Sequence, residues 1–397
     1  MPTHFQIFLI ILYNIIIPFT LSNQQSTPPS LELYILYGKF GIKTNLLQPY
    51  NEMILTSINF NQPFNIIKLN SIHHPNPFNL THISLHNNIT IPVSQHASFI
   101  ELKSPTNITL PFSFYNTETS TTPYQQEPPG ISFAYTFTDL SHSITHQLYN
   151  NNLIHHKLFS LCPITNYMGE VVFGNTPHKY TQHKQNGKCK INSTTKWECL
   201  LNSINIGNSS DALALTYYYK VNSNVIFNPT QGFIYVPYEF IAHLLHTLFK
   251  YQIEHHKCWI EDEIPPKGIV CSYYIQRENI FDNITLSFII DGYIYTTYVK
   301  NMFIILEDYL KFIIVEHPYD NNTNTWELGG FFLQNFISEF NYDTNYISLY
   351  SSNTNYIITH NNNVNTRASQ MTFLITNIMF LLIGIALCLC NRSTYII

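Results

Sequence analysis

The sequence predicts an all-β protein with a few short helices. Three observations carry that reading. Apolar runs are short and alternate with polar turns along most of the chain, the pattern of half-buried strands. Asn, Ile, Thr, Ser and Tyr dominate, aromatic residues reach 15% and charged residues only 11%, which favours strands and polar loops over long charged helices. One stretch, Tyr238–Lys250, carries a clear helical stripe, with apolar residues at 240, 241, 244, 245, 248 and 249. The 397 residues suffice for one large domain or two lobes. A net charge of -5 without a basic run gives no reason to expect nucleic-acid binding.

Both ends carry targeting signals. Phe5–Thr20 is an apolar run with the length of a signal-peptide core, so residues 1–22 are expected to be removed. Residues 371–390 form a second apolar run without a charge, and 20 helical residues span roughly 30 Å of hydrocarbon. Together they predict a single-pass type I membrane protein of the secretory pathway. Its body would be lumenal or extracellular, and residues 391–397 a cytosolic tail. Seven sequons ahead of the second run suit that placement: Asn79, Asn88, Asn107, Asn192, Asn208, Asn283 and Asn321. Five cysteines precede it as well. In an oxidising compartment the short loops Cys189–Cys199 and Cys258–Cys271 are disulfide candidates. The connectivity does not follow from sequence, and Cys162 is left as a buried thiol or an intermolecular partner.

In chain order, Leu31–Tyr37, Asn51–Ile58, Ser98–Leu102 and Ile108–Phe114 read as strands. Gln125–Gly130, with two prolines and a glycine, reads as a loop. Asp139–Ile154 holds a short helix, and His156–Leu161 and Glu170–Gly174 are strands. A second strand series begins at Trp197. Val225–Phe227 leads into a polar turn, Asn228 to Gly232, from which Phe233–Val236 returns before the helical stripe. Residues 353–370 are polar and are expected to form a stalk.

The closing stretch is the most specific. Trp326-Glu327-Leu328-Gly329-Gly330-Phe331-Phe332-Leu333, continuing through Phe336 and Phe340 to Asn345-Tyr346-Ile347-Ser348-Leu349, resembles the last element of pepsin-like (family A1) aspartic peptidases. Gly329 there lets one strand pass close beneath the active-site loop, and Phe331–Phe340 is expected to give a short apolar helical face. Asn283–Tyr298 resembles the family's hairpin, with Cys258…Cys271 where its C-terminal-lobe disulfide loop lies. Leu158–Cys162 with Gly169–Gly174 resembles the link between lobes, and Pro129-Gly130-Ile131 the Asp-Gly-Ile-x-Gly-Leu segment. The resemblance implies an all-β, bilobal pepsin-like aspartic peptidase fold with a few short helices, plus the C-terminal transmembrane helix. The N-terminal lobe would span 31–178 and the C-terminal lobe 179–352.

The resemblance also locates the two catalytic loops. Asn228 falls on the second catalytic Asp, followed by Pro229 and Thr230 in place of the family's Ser/Thr-Gly. Reading Gln48 onward in the family's register puts Leu55 on the first Asp. Aspartic peptidases need two carboxylates that share one proton, one acting as base and the other as acid. Leucine cannot titrate, and an amide cannot take water's proton. The family is an endopeptidase family, yet neither dyad position is intact. The implied role is a pseudopeptidase that holds a peptide or protein ligand in the inter-lobe cleft. An active endopeptidase and a glycosylated surface scaffold are the alternatives. No cofactor is implied. His255-His256-x-Cys258 has metal-ligand residue types, but Cys258 is better used in a disulfide, so no metal site is expected.

Overall fold

The computed structural model describes residues 28–46, 52–59, 66–67, 78–84, 90–102, 108–116, 130–135, 143–176, 181, 186–208, 215–261, 266–276, 278–306, 309–317, 325–352 and 356–360. The signal segment, the 371–390 run and the sequons at Asn88, Asn107 and Asn321 lie outside them. Among the described residues no helix is long and apolar enough to cross a membrane.

The chain forms two compact units. Unit 1 takes the chain through Tyr180 together with Thr194–Lys196 and Glu339–Thr344. Unit 2 takes Thr181–Ser193, Trp197–Ser338 and the chain from Asn345. The division falls close to the expected boundary at 178/179, but the late segment Glu339–Thr344 returns to unit 1. Tyr342 explains that return. Its N–H donates to the Lys157 carbonyl oxygen at 2.9 Å, and its hydroxyl lies 3.3 and 3.2 Å from the Phe133 and Ala134 carbonyl oxygens. Its ring stacks on Tyr135, and nearby Phe340 stacks on Phe159 at 5.0 Å. Burying such rings stabilises by about 2 kcal/mol each.

Both units are built from strands, as expected, and one pairing pattern occurs in each. In unit 2 the strand Leu215–Phe227 runs parallel to Trp326–Leu328. Trp326–Leu328 is antiparallel to Ile234–Val236, which in turn is parallel to Tyr309–Glu316. In unit 1, Glu52–Asn59 runs parallel to Gly130–Ser132, that strand is antiparallel to Ile66–Ile67, and Ile66–Ile67 is parallel to Ile108–Asn116. The spatial order is first, fourth, second, third in both. Nearly every other pairing is antiparallel, so the shared parallel–antiparallel–parallel string marks an internal duplication that the residues themselves no longer show.

The helical stripe forms Tyr238–Thr247, with Phe240, Ile241 and Leu244 buried. Pro237 starts it; its fixed φ of -61° suits the position, and its carbonyl oxygen accepts from the Phe240 and Ile241 N–H groups. Phe240 packs against Trp326 at 5.1 Å, tying the helix to the central strand. The expected hairpin forms from Ile284–Ile290 and Tyr293–Tyr298. Asp291 and Gly292 make its two-residue turn at φ 47° and 81°, where glycine and aspartate are tolerated. Both disulfide candidates are formed, Cys189–Cys199 and Cys258–Cys271. Closing loops of this size contributes about 3 kcal/mol each in the loop-entropy account. Cys162 is buried in the strand Leu158–Pro163, outside both disulfides.

Two expectations are corrected. The helix expected across Phe331–Phe340 is only Gly330–Leu333, and Phe336–Asn341 is a strand. Asn335 stops the helix by donating its side-chain amide to the Phe331 and Phe332 carbonyl oxygens at 2.8 and 3.2 Å. The 353–370 stalk is also not uniformly structureless. Tyr356–His360 adds a strand to the edge at Tyr293–Tyr298, and Tyr356 and Ile358 are buried. Phe332 and Phe336 pack on the Tyr356 ring at 5.5 and 5.0 Å, which anchors a segment whose overall polarity suggested a linker.

His146 gives unit 1 an acid-sensitive point. It lies on the helix Ile144–Asn150, edge-on to Tyr342 at 4.8 Å. Burial pushes its imidazole down to about 4, with Lys157 adding to the effect and Asp343 opposing it. The unfolded chain binds this proton near pH 6.5, so the contribution is present above that pH and is lost as pH falls toward 4. His146→Phe keeps the ring contact without the proton. On going from pH 7 to pH 4, urea unfolding should show the parent losing on the order of 2 kcal/mol more than this variant.

Candidate functional site: the Asn228 loop

The Leu215–Phe227 strand ends in a buried apolar triplet, Val225, Ile226 and Phe227, and the chain then turns at Asn228. Asn228 is only 2% exposed. Its N–H donates to the Leu328 carbonyl oxygen at 3.0 Å, and its own carbonyl oxygen accepts from the Gln231 N–H at 3.2 Å. Its side-chain oxygen Oδ1 accepts from the Thr230 N–H at 3.2 Å and from the Thr230 hydroxyl. That is an Asx-type turn, the local bond for which Asn is favoured, and Pro229 fixes φ in its middle. Asn-Pro-Thr is therefore a self-sufficient turn.

The other end of the Asn228 amide meets a carboxylate. Nδ2 donates to Glu327 Oε2 at 3.4 Å. Trp326 and Leu328, on either side of Glu327, are buried at 3% and 1%, so strand alternation sends Glu327 to the opposite face. There His317 Nε2 lies 3.6 Å from Glu327 Oε1, and the His317 ring packs on Tyr235 at 5.7 Å. The Tyr235 hydroxyl donates to Gln231 Oε1 at 3.4 Å, closing the cluster onto the loop.

Gly329 sits directly against the turn. A Cβ there would lie 2.1 Å from the Phe233 carbonyl oxygen and 2.7 and 2.8 Å from those of Gln231 and Gly232. The close approach serves two hydrogen bonds: the Gly330 N–H donates to Gln231 O at 2.7 Å and the Phe331 N–H to Gly232 O at 2.8 Å. Phe331 and Phe233 then meet edge to face at 5.4 Å. Below Phe233 lies Lys311, 4% exposed, with its Nζ 2.6 Å from Glu261 Oε2. A pair this buried is costly to desolvate, and the Tyr309 hydroxyl satisfies Glu261 further at 3.1 Å.

The same register in unit 1 locates the other loop. Val225, Ile226 and Phe227 pair in parallel with Trp326, Glu327 and Leu328; Ser57, Ile58 and Asn59 pair with Gly130, Ile131 and Ser132. The residue after the triplet is Asn228 in one unit and Phe60 in the other. Leu55 is thus corrected: it lies inside its strand opposite Lys43, four residues before the strand's last residue, Asn59. Gln48 offers a register with no anchor downstream of it, and an apolar strand fits that register at more than one offset. Phe60 itself lies outside the described residues. The position matching Gly329 becomes Phe133, which is fully buried against Phe159 at 4.7 Å and Phe173 at 6.0 Å. Unit 1 has a core phenylalanine where unit 2 has its close glycine contact.

The comparisons agree with this architecture. The family model described as eukaryotic aspartyl protease matches residues 112–351. The chain belongs to the eukaryotic aspartyl protease family. Among solved structures it is similar to basic 7S globulin from soybean, with a TM-score of 0.62 and 10% identity over 83% of this chain and 95% of that one. No curated protein sequence matches it. The family match begins at residue 112, so Glu52–Asn59 falls outside it. That is the stretch in which the Leu55 register slipped.

The structure therefore brings Asn228 together with Thr230, Glu327, His317 and Tyr235. Sequence reasoning missed Glu327 and His317. The visible signal was a charged residue in the otherwise apolar Trp326-Glu327-Leu328 triplet, whose unit 1 counterpart is Ile131. Among the described residues no cluster of three or more His, Cys, Asp or Glu is placed to hold a metal ion.

Gly329→Ala forces a Cβ onto backbone oxygens that cannot swing away. It should cost about 3 kcal/mol in urea unfolding of unit 2.

Proposed function

We propose that this family member does not hydrolyse peptides and acts by binding a peptide or protein ligand. One observation carries the proposal: the position of the second catalytic aspartate is Asn228, a buried amide whose oxygen is committed to Thr230 and whose nitrogen is committed to Glu327. An amide cannot accept a proton from water, so it cannot serve as the base of the dyad. The unit 1 register supports the same reading. The counterpart of Asn228 is Phe60, which has no ionisable group, and the counterpart of Gly329 is Phe133. A shared proton between two carboxylates has no partner on either side.

The proposal places the protein in the secretory pathway, anchored by residues 371–390 with its two units on the lumenal or extracellular side. Two formed disulfides suit an oxidising compartment. Asn192, Asn208 and Asn283 are all exposed, as glycan attachment needs.

Purified protein incubated with a mixed peptide substrate across roughly pH 3–7 should give no pepstatin-sensitive cleavage. Cleavage that pepstatin blocks would overturn the proposal. Expressed in a eukaryotic secretory host, the protein should shift to lower apparent mass on treatment with an endoglycosidase. An unshifted band would count against the lumenal placement.

A further inference from the structure

Glu327 is out of character for its position. It is the middle residue of a three-residue strand whose neighbours are core residues, and its counterpart in unit 1 is Ile131. A half-buried carboxylate is retained only where donors satisfy it. The Asn228 amide donates to it at 3.4 Å, and the His317 ring lies beside it at 3.6 Å, an ion-pair rather than a hydrogen-bond distance. The contact runs both ways. Asn228 Oδ1 is turned to the Thr230 donors, so Nδ2 can only point at an acceptor, and Glu327 is that acceptor.

We propose that Glu327 is a positioning residue that orients the Asn228 amide, so that the two form one coupled pair and a carboxylate at 228 is disfavoured beside it. The proposal rests on the non-hydrolytic reading of Asn228 and adds a second residue that maintains it. The physical ground is simple. With aspartate at 228, two carboxylates would sit where Nδ2 and Oε2 now sit, 3.4 Å apart, and like charges that close in a half-buried site cannot both ionise. The folded state would have to keep a proton that the unfolded chain releases near pH 4.

The surrounding charges do not relieve this. From the strand Tyr309–Glu316 and its extension, the group facing Glu327 is the His317 ring, 3.6 Å away. Lys311 on that strand is engaged by Glu261, and the Glu316 N–H is held by the Lys267 carbonyl oxygen. From Ile234–Val236 the facing group is Tyr235, whose hydroxyl is donated to Gln231. From Leu215–Phe227 the facing residues Val225, Ile226 and Phe227 are apolar. The repulsion between carboxyls at 228 and 327 therefore grows as pH rises and the pair is asked to release its shared proton.

The test is the melting temperature of the full chain and three variants, Asn228→Asp, Glu327→Gln and the double variant, between pH 4 and pH 8. The sign follows from linkage: a carboxyl pair that holds a proton in the folded state loses stability as pH rises. Asn228→Asp should melt within about 2 °C of the parent at pH 4 and at least about 5 °C below it at pH 8. Glu327→Gln keeps an acceptor for the Asn228 amide and should follow the parent. The double variant should recover the Asn228→Asp loss at pH 8. A loss that is equal at both pH values, or that Glu327→Gln does not recover, overturns the proposal, and so does an Asn228→Asp protein as stable as the parent throughout. If Asn228→Asp does not fold at pH 8, it is folded at pH 4 and titrated upward, and the double variant supplies the same decision. Peptide cleavage is read on the same samples. Pepstatin-sensitive cleavage by the parent would remove the non-hydrolytic reading and leave the coupling standing, whereas a flat stability profile would remove the coupling alone.

Discussion

Unit 2 depends on one close approach. Gly329 passes beneath the Asn228 turn at a distance that leaves no room for a Cβ, and the carbonyl oxygens it nearly touches include those that accept from Gly330 and Phe331. That contact sets the position of everything around it. It fixes the three-residue strand Trp326–Leu328 between Leu215–Phe227 and Ile234–Val236. It places Trp326 against Phe240 of the helix Tyr238–Thr247, and it starts the short helix Gly330–Leu333 with N–H groups already satisfied by the turn. A buried turn with unmet backbone groups would cost more than the local packing returns, so the hydrogen bonds and the glycine are one requirement.

The turn keeps its architecture with its own set of local hydrogen bonds. Its flanks, Val225–Phe227 and Ile234–Val236, are buried strands that pair as the fold demands. Between them Asn228, Pro229 and Thr230 make a turn that closes on itself through the Thr230 bonds to Asn228 Oδ1. Glu327 then engages the one part of the Asn228 side chain that Thr230 does not. In unit 1 the same pairing order is kept while Phe133 occupies the glycine position and packs into an aromatic core with Phe159 and Phe173. Strand order tolerates such replacements because it is held by backbone hydrogen bonds and buried faces.

Much of unit 2 was legible in the residues. The stripe at 240, 241 and 244 specified its helix through a local rule, while the hairpin over Asn283–Tyr298 and the close contact at Gly329 came from the family resemblance. The cysteine pairings were open in sequence and closed only when Cys258 and Cys271 proved to be opposite each other across a two-stranded ladder. Four features were not legible for physical reasons. The duplication lives in backbone pairing, which any side chains of suitable face can satisfy, so no residue repeat records it. The first loop was placed at Leu55 because an apolar strand looks alike at every second residue, and only the parallel partner Gly130–Ser132 defines where it ends. The Asn228–Glu327 contact joins residues 99 apart in the chain, and spacing alone carries no information about it. Tyr356–His360 escaped notice because two buried residues, Tyr356 and Ile358, are too few to outweigh a polar setting.

The central claim is that the Asn228 turn is a rigid structural junction. Amide hydrogen exchange tests it most directly, at the three N–H groups that tie the turn to its partner: Asn228 to Leu328, Gly330 to Gln231, and Phe331 to Gly232. All three should exchange only through global unfolding of unit 2, as slowly as the buried core strand amides of Val225 and Phe227. Exchange through local opening, faster than those strand amides by about a hundredfold or more, would show a turn that moves independently and would contradict the account.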